Sequence, residues 1–266
     1  MKVLQTEGAE GVVDRRKQTV FFWILVFFFI IGTEAAANEG RNRFGVEVEG
    51  GAFWFSENEV QIPGDSGTRF SLLDLTSRGP TAYFRLSGSW DLNPRHGFAL
   101  TIAPLQAKGT GTLSQTVRFA DQNFAPGVST EGTYKFNTYR VTYRYTFFDR
   151  TDWRLRIGAT GLVRDAKIEL KQGNTSAQKE NIGFAPLLHF DAQYRLSRST
   201  ALIADFDGLV VPQGRAIDLA LKINHDLTDR WSLGLGYRTL EGGSDNDDVY
   251  NFAWLHFLFL SVGFKF

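Results

Sequence analysis

Residues 138–147 read TYRVTYRYTF. Tyr139, Val141, Tyr143, Tyr145 and Phe147 alternate with Thr138, Arg140, Thr142, Arg144 and Thr146. Successive side chains of an extended chain point to opposite faces, so as a strand this stretch presents one apolar, aromatic face and one basic, polar face. Helical spacing would scatter both sets around an axis. The aromatic and β-branched content also suits a pleated surface.

The same period of two recurs along the chain. In PTAYFRLSGSWDL (80–92), Ala82, Phe84, Leu86, Gly88 and Trp90 oppose Tyr83, Arg85, Ser87, Ser89 and Asp91. WRLRIGATG (153–161), IGFAPLLHFDAQYRL (182–196), AIDLALKINHDL (216–227) and WSLGLGYR (231–238) repeat it. We expect ten strands, over 43–56, 80–92, 96–108, 132–148, 153–170, 181–196, 200–209, 215–227, 231–241 and 249–266. Eight or twelve are the alternatives if 96–108 or the short connection VPQG is read differently. NPR, DRTD, SRS and TDR close alternate hairpins, whereas ENEVQIPGDSGTRFSLLDLTSRG, GTGTLSQTVRFADQNFAPGVST and EGGSDNDD separate others. Short turns at one end, longer loops at the other and an even strand count are the layout of a transmembrane barrel. The expected fold class is all-β: a closed antiparallel transmembrane β-barrel of about ten strands.

The two faces decide what the barrel faces. Strand-central Arg and Asp residues fall on one side and the other side is almost free of charge. A soluble sandwich or lipocalin-like barrel must put polar groups on its outside. In a bilayer the outside must be apolar, since a Lys or Arg facing lipid near the midplane costs ~2–4 kcal/mol. The charged face is therefore assigned to the lumen. Trp153 and Trp231 just after short turns, and Trp90 just before one, suit an aromatic girdle at a membrane interface.

Arg15, Arg16 and Lys17 precede the apolar run Val20–Gly32, and TEAAANE follows with Ala35 and Ala37 in the A-x-A relation. The run is shorter than the ~20 residues of a spanning helix, so residues 1–37 are expected to be a signal peptide cleaved before Asn38, leaving a barrel domain over 38–266. The chain has no Cys, which excludes a disulfide framework and thiolate chemistry. With 29 basic and 29 acidic residues there is no global field to attract nucleic acid. No phosphate-binding loop, dinucleotide fingerprint or G-x-S-x-G turn is present, so no cofactor is expected. Nothing in the pattern specifies an oligomeric state.

The lumenal face carries Arg85, Arg140, Arg144, Arg154, Arg156 and Arg164 from one part of the wall. His189, Asp191, Asp205, Asp207, Asp218, Lys222 and Arg238 come from the other. Facing one another across a narrow barrel, these charges are expected to pair and rigidify the interior. HFD (189–191) and DFD (205–207) flank the SRS turn. Pairing about that turn sets Asp191 opposite Asp205 and His189 opposite Asp207, and a tight PQG turn adds Asp218 beside Asp207. A His beside carboxylates has the parts of a general base. Four Asp and a His could also hold a hard cation, but the Arg residues compete for the same carboxylates and no metal is expected. Phe53, Phe55, Leu187, Ile203, Leu255, Phe257 and Phe259 also point inward, either as packing or as a slot for an apolar molecule.

The leader, the amphipathic strands and the C-terminal strand ending VGFKF resemble the small outer-membrane β-barrel proteins of Gram-negative bacteria, the OmpA-like and omptin-like barrels among them. The resemblance implies an outer-membrane location, contact with outer-membrane lipid, and recognition of the last strand by the barrel-assembly machinery through Phe266, Phe264 and Val262. Ten strands are closer to the omptins than to the eight-strand OmpA type. Omptin proteases use an Asp–His pair facing an Asp pair. Here the His precedes the Asp, the two motifs lie on neighbouring strands, and they fall near mid-barrel and not at the outer rim. Catalytic roles are therefore not carried over. The functions left open are a structural or surface barrel, a narrow pore, lumenal binding or transport of a small or apolar molecule, and hydrolysis at the His189/Asp cluster.

Overall fold

The computed structural model describes residues 43–266, so the expected signal peptide lies outside the described residues. The strands are β1 (Phe44–Gln61), β2 (Phe70–Ser71), β3 (Thr81–Asp91), β4 (His96–Ala103), β5 (Gln106–Thr112), β6 (Val117–Phe119) and β7 (Gln122–Phe124). They continue as β8 (Ser129–Asp149), β9 (Trp153–Gln172), β10 (Thr175–Arg195), β11 (Thr200–Val211), β12 (Gly214–Asp226), β13 (Trp231–Asp245) and β14 (Tyr250–Lys265). Ten of these, β1, β3, β4 and β8 to β14, form an antiparallel wall in which each strand bonds to the next. The C-terminal strand closes it: β14 pairs with β1 from Gly45↔Lys265 to Gln61↔Tyr250. Closure satisfies the backbone groups that a sheet edge would leave bare in lipid.

Strand ends depart from expectation in instructive places. The third strand breaks after Ala103 at Pro104, and its continuation β5 leaves β3 and pairs with β8 alone. β9 and β10 run past the expected ends to a tight turn at Gly173 (φ 56°) and Asn174. β1 runs on to Gln61 through a bulge between Phe55 and Glu57. An extra residue in one strand switches side-chain parity, so Asn58 and Val60 join Phe53 and Phe55 as buried residues.

The outer face is apolar all the way round. Val48, Phe84, Leu100, Val141, Ile157, Leu188, Leu221, Leu235 and Leu260 are exposed there, one from each of nine strands, and β11 adds Leu202. Aromatic pairs bound this belt. At the tight-turn end Phe44 stacks on Trp90, Trp153 meets Tyr194 and Trp231 meets Phe264. At the loop end Trp54, Tyr237 and Trp254 cluster around His256, whose Nδ1 lies 2.6 Å from the Tyr237 hydroxyl. Phe264 and Trp254 on β14 are separated by ~34 Å along a strand rising ~3.4 Å per residue. At the usual ~40° tilt this spans ~25 Å, the height of a barrel's apolar band. The belt and its two girdles identify the wall as membrane-spanning.

The loop end is capped. A 3-10 turn at Leu72–Asp74 and the β6–β7 hairpin pack onto inward side chains of the wall, with Leu72, Leu75, Phe119 and Phe124 buried against Phe53, Phe55, Tyr134, Leu170 and Leu255. The hairpin turns at Ala120 and Asp121, both with positive φ. Backbone bonds tie the two loops together, Ala120 N–H to Ile62 O at 2.9 Å and Thr68 N–H to Arg118 O at 2.9 Å. Segment Leu72–Ser77 lies beside β5 where β3 has diverged. A side chain at Gly111 would place its Cβ 1.8 Å from the Asp74 carbonyl oxygen, so the close approach requires glycine. Phe53, Phe55 and Phe257 therefore serve as packing. Phe259 and Ile203 lie lower and line a different space.

Candidate functional site

Alternation sends the charges inward, and closure of the wall decides which of them meet. At mid-height Arg140 on β8 reaches across the lumen, its Nη1 2.9 Å from Asp207 Oδ2 on β11 and its Nη2 2.6 Å from Asp218 Oδ2 on β12. Asp218 also accepts from Arg238 Nη1 at 2.9 Å and lies 3.6 Å from Arg85 Nη1. Arg238 continues to both oxygens of Glu49 on β1, at 3.1 and 3.2 Å. All six side chains are buried. They form a septum across the lumen in which each guanidinium has a carboxylate partner. That is the condition under which buried charge is tolerated, because ions removed from water must recover their solvation from one another.

Below the septum, towards the tight turns, lies a chamber of about 240 Å³. It receives His189, Asp191, Asp205, Arg144, Arg156 and Lys222. The strand registers set His189 opposite Asp207, Asp191 opposite Asp205 and Asp207 opposite Asp218. Asp207, like Asp218, has three partners among the described residues. Its Oδ1 accepts from Thr160 Oγ1 at 2.7 Å and lies 2.9 Å from His189 Nδ1, while Arg140 holds Oδ2. His189 is 4% exposed, and its Nε2 has no hydrogen-bond partner among the described residues. Asp191 pairs with Arg156 on the adjacent strand at 2.7 Å.

His189, Asp205 and Asp207 bring potential ligand atoms within 4.8 Å of one another, so this is where a cation would be held. Arg140, Thr160 and His189 already engage Asp207, which leaves Asp205 and His189 Nε2 as the open donors. A carboxylate that orients an imidazole by its Nδ1 side is also part of the arrangement of a general base, although Nε2 itself is buried here. Among the described residues no hydroxyl bonds to His189.

Three expectations do not hold. Arg154 does not join the buried network; it pairs with Asp149 of the neighbouring strand at 3.5 Å, near the tight-turn rim. The division into a basic and an acidic half of the wall also fails, because Glu47 and Glu49 on β1 carry part of the charge. Glu49 meets Arg238 and Glu47 meets Lys222. Their signal was present in GVEVEGG, where both Glu residues alternate with valines. Arg144, also expected in the network, reaches only Asp91 at 3.9 Å and the Phe98 carbonyl at 3.4 Å. His96, His225 and His256 bond to Tyr143, Thr200 and Tyr237 as wall residues.

No family model and no curated protein matches the chain. Solved structures of outer-membrane β-barrel proteins do. Ail, the attachment invasion locus protein of Yersinia pestis, is 10% identical, covering 84% of this chain and 99% of its own, with a TM-score of 0.36. Neisserial surface protein A is 16% identical over 86% of this chain and 100% of its own, with a TM-score of 0.36. The toluene transporter TodX of Pseudomonas putida is 8% identical over 85% and 91%, with a TM-score of 0.35. At these identities and scores the likeness says nothing about what this chain binds.

Proposed function

We propose that this chain is an integral outer-membrane β-barrel protein of a Gram-negative bacterium whose lumen is closed as a through-passage, a structural or surface barrel and not an open pore. The observation that carries the reading is the septum of Arg140, Asp207, Asp218, Arg238 and Glu49, buried and mutually paired beneath an apolar cap. The outer-membrane location rests on the apolar belt, which only a bilayer accommodates, together with the fact that closed barrels and helices are the structures that span membranes. Insertion by the barrel-assembly machinery through Phe266, Phe264 and Val262 belongs to the same reading.

Conductance of the folded protein in a planar bilayer tests it, with heat-modifiable gel mobility as the folding control. The intact barrel is expected to be silent, and Arg140→Ala to produce discrete steps. Steps from the unaltered protein would sink the reading and favour a charge-lined narrow pore. A second reading, hydrolysis at the lower chamber, is favoured by His189 Nε2, which has no hydrogen-bond partner among the described residues. It requires turnover of an ester such as p-nitrophenyl butyrate that Asp207→Asn abolishes while the barrel still folds.

A further inference from the structure

A second chamber, of about 230 Å³, lies above the septum at the loop end. Its floor is Arg140, Asp207 and Asp218, and its walls are Leu162, Leu187, Leu240, Leu255 and the Tyr134 ring. Two inward cations also line it, Arg164 on β9 and Lys179 on β10. Neither forms a salt bridge among the described residues. Arg164 has only neutral acceptors at the limit of hydrogen bonding, Asn181 Oδ1 and Ser244 Oγ, each at 3.5 Å. By contrast Lys135, beside the same chamber, is engaged by Asp165 at 2.8 Å. The other charges lining the space are paired, Arg140 with Asp207 and Asp218, Lys167 with Glu169 and Arg215 with Glu241, so Asp248 is the one lining carboxylate left to set against the two cations among the described residues.

The wall is lowest beside this chamber. β10 pairs with β11 only from Leu188 to Arg195, although its pairing with β9 runs on to Thr175. Among the described residues no strand pairs with residues 175–187 of β10 on that flank, because β11 ends at Val211 and the chain turns back at Pro212 and Gln213. Beside this notch the outer face carries Phe184, 70% exposed, with Ile182 and Val210. Apolar side chains thus border the notch on the lipid-facing side, while Ala185 and Leu187 of the same stretch line the chamber on the inner side.

We propose that the upper chamber is a binding site for a small amphipathic anion, an aromatic or medium-chain carboxylate, with its apolar body on Leu187 and Leu240 and its head group on Arg164 and Lys179. An apolar cavity with a few converging polar groups is the usual form of a small-molecule site. A cavity of ~150 Å³ holds benzene, and this one takes somewhat more. Arg164 supplies the planar fork that matches a carboxylate. The inference stands on the barrel fold and does not require the lumen to be closed.

Equilibrium dialysis of radiolabelled octanoate against the protein in lipid nanodiscs, with empty discs as the blank, tests it. One saturable site per chain is expected. Octan-1-ol, with the same chain and no charge, binds at least tenfold more weakly. Arg164→Ala weakens octanoate binding about tenfold or more, the loss of a charge-assisted bond, while Arg164→Lys restores most of it. Leu187→Trp fills the chamber and removes binding with Arg164 intact. Heat-modifiable mobility of each variant confirms folding. No saturable binding above empty discs, equal binding of octan-1-ol, or an Arg164→Ala isotherm that overlays the unaltered protein would each overturn the proposal. A conducting barrel would sink the closed-lumen reading and leave the octanoate isotherm to decide this one.

Discussion

In the upper lumen Phe53, Leu75, Phe119 and Phe124 are fully buried among apolar neighbours, while a short way down the same barrel Arg140, Asp207 and Asp218 are buried almost as deeply among charges. Both regions exclude water, by different physics. The cap gains from removing apolar area from water at roughly 25 cal/mol per Å², a non-directional gain that survives small shifts. The septum gains only while each ion keeps its partner at short range, and loses heavily when one is removed. A cap built from loops tolerates rearrangement, whereas a septum built from rigid strands fixes which residue meets which.

Breaking the septum should have the largest effect. Asp218→Ala leaves Arg238, Arg140 and Arg85 short of a partner and is expected to cost about 3–5 kcal/mol, read as a lower urea midpoint for loss of heat-modifiable mobility. Trypsin cleavage at Arg118 in the cap hairpin should stay unchanged, which separates the two regions. Gly111→Val makes the converse test. Its side chain collides with the Asp74 carbonyl, so the cap should lift, and cleavage at Arg118 should accelerate at least tenfold while the barrel keeps its mobility shift. Equal movement of both readouts in either variant would show that cap and septum are one cooperative unit.

A smaller effect is expected outside the lumen. Leu260→Arg puts a cation on the lipid face and should cost ~2–4 kcal/mol, again seen in the urea midpoint. A neutral result would mean that this face meets water. The smallest effect belongs to Glu169, beyond the belt, whose carboxyl the hydrogen bonds from Lys167 and Lys171 hold below its ordinary range. Its stabilising contribution is present above the unfolded carboxylate range and is lost as pH falls through the lowered value. Because its partner Lys171 is exposed, the cluster is screened and worth a few tenths of a kcal/mol at most, so Glu169→Gln should leave the urea midpoint at pH 7 within error.

Much of the architecture was readable in one dimension. TYRVTYRYTF and its relatives carry the lumenal and lipid faces directly, and Trp90, Trp153 and Trp231 mark an interface because each stands next to a tight turn. The placement of His189 opposite Asp207 followed from the SRS turn, since a short hairpin leaves little freedom of register. The cap did not follow, although Leu72, Leu75, Phe119 and Phe124 are plainly apolar. They sit in a 3-10 turn and its flank and in two three-residue strands, too short to show a period, and the bulge after Phe55 reverses parity where the sequence looks merely polar. Glu49 was passed over because its partner Arg238 is 189 positions away.

What the sequence determined by itself is therefore the face of each strand, because alternation is a property of the extended backbone wherever the strand is placed. Only the tertiary structure decided that Arg140 reaches Asp207 and Asp218, that Arg238 is shared by Asp218 and Glu49, and that Arg164 meets no carboxylate among the described residues. Those outcomes depend on strand tilt, on the offset at which β14 meets β1 and on the low wall at β11. Closure sets all three for the barrel as a whole, and no single strand carries them.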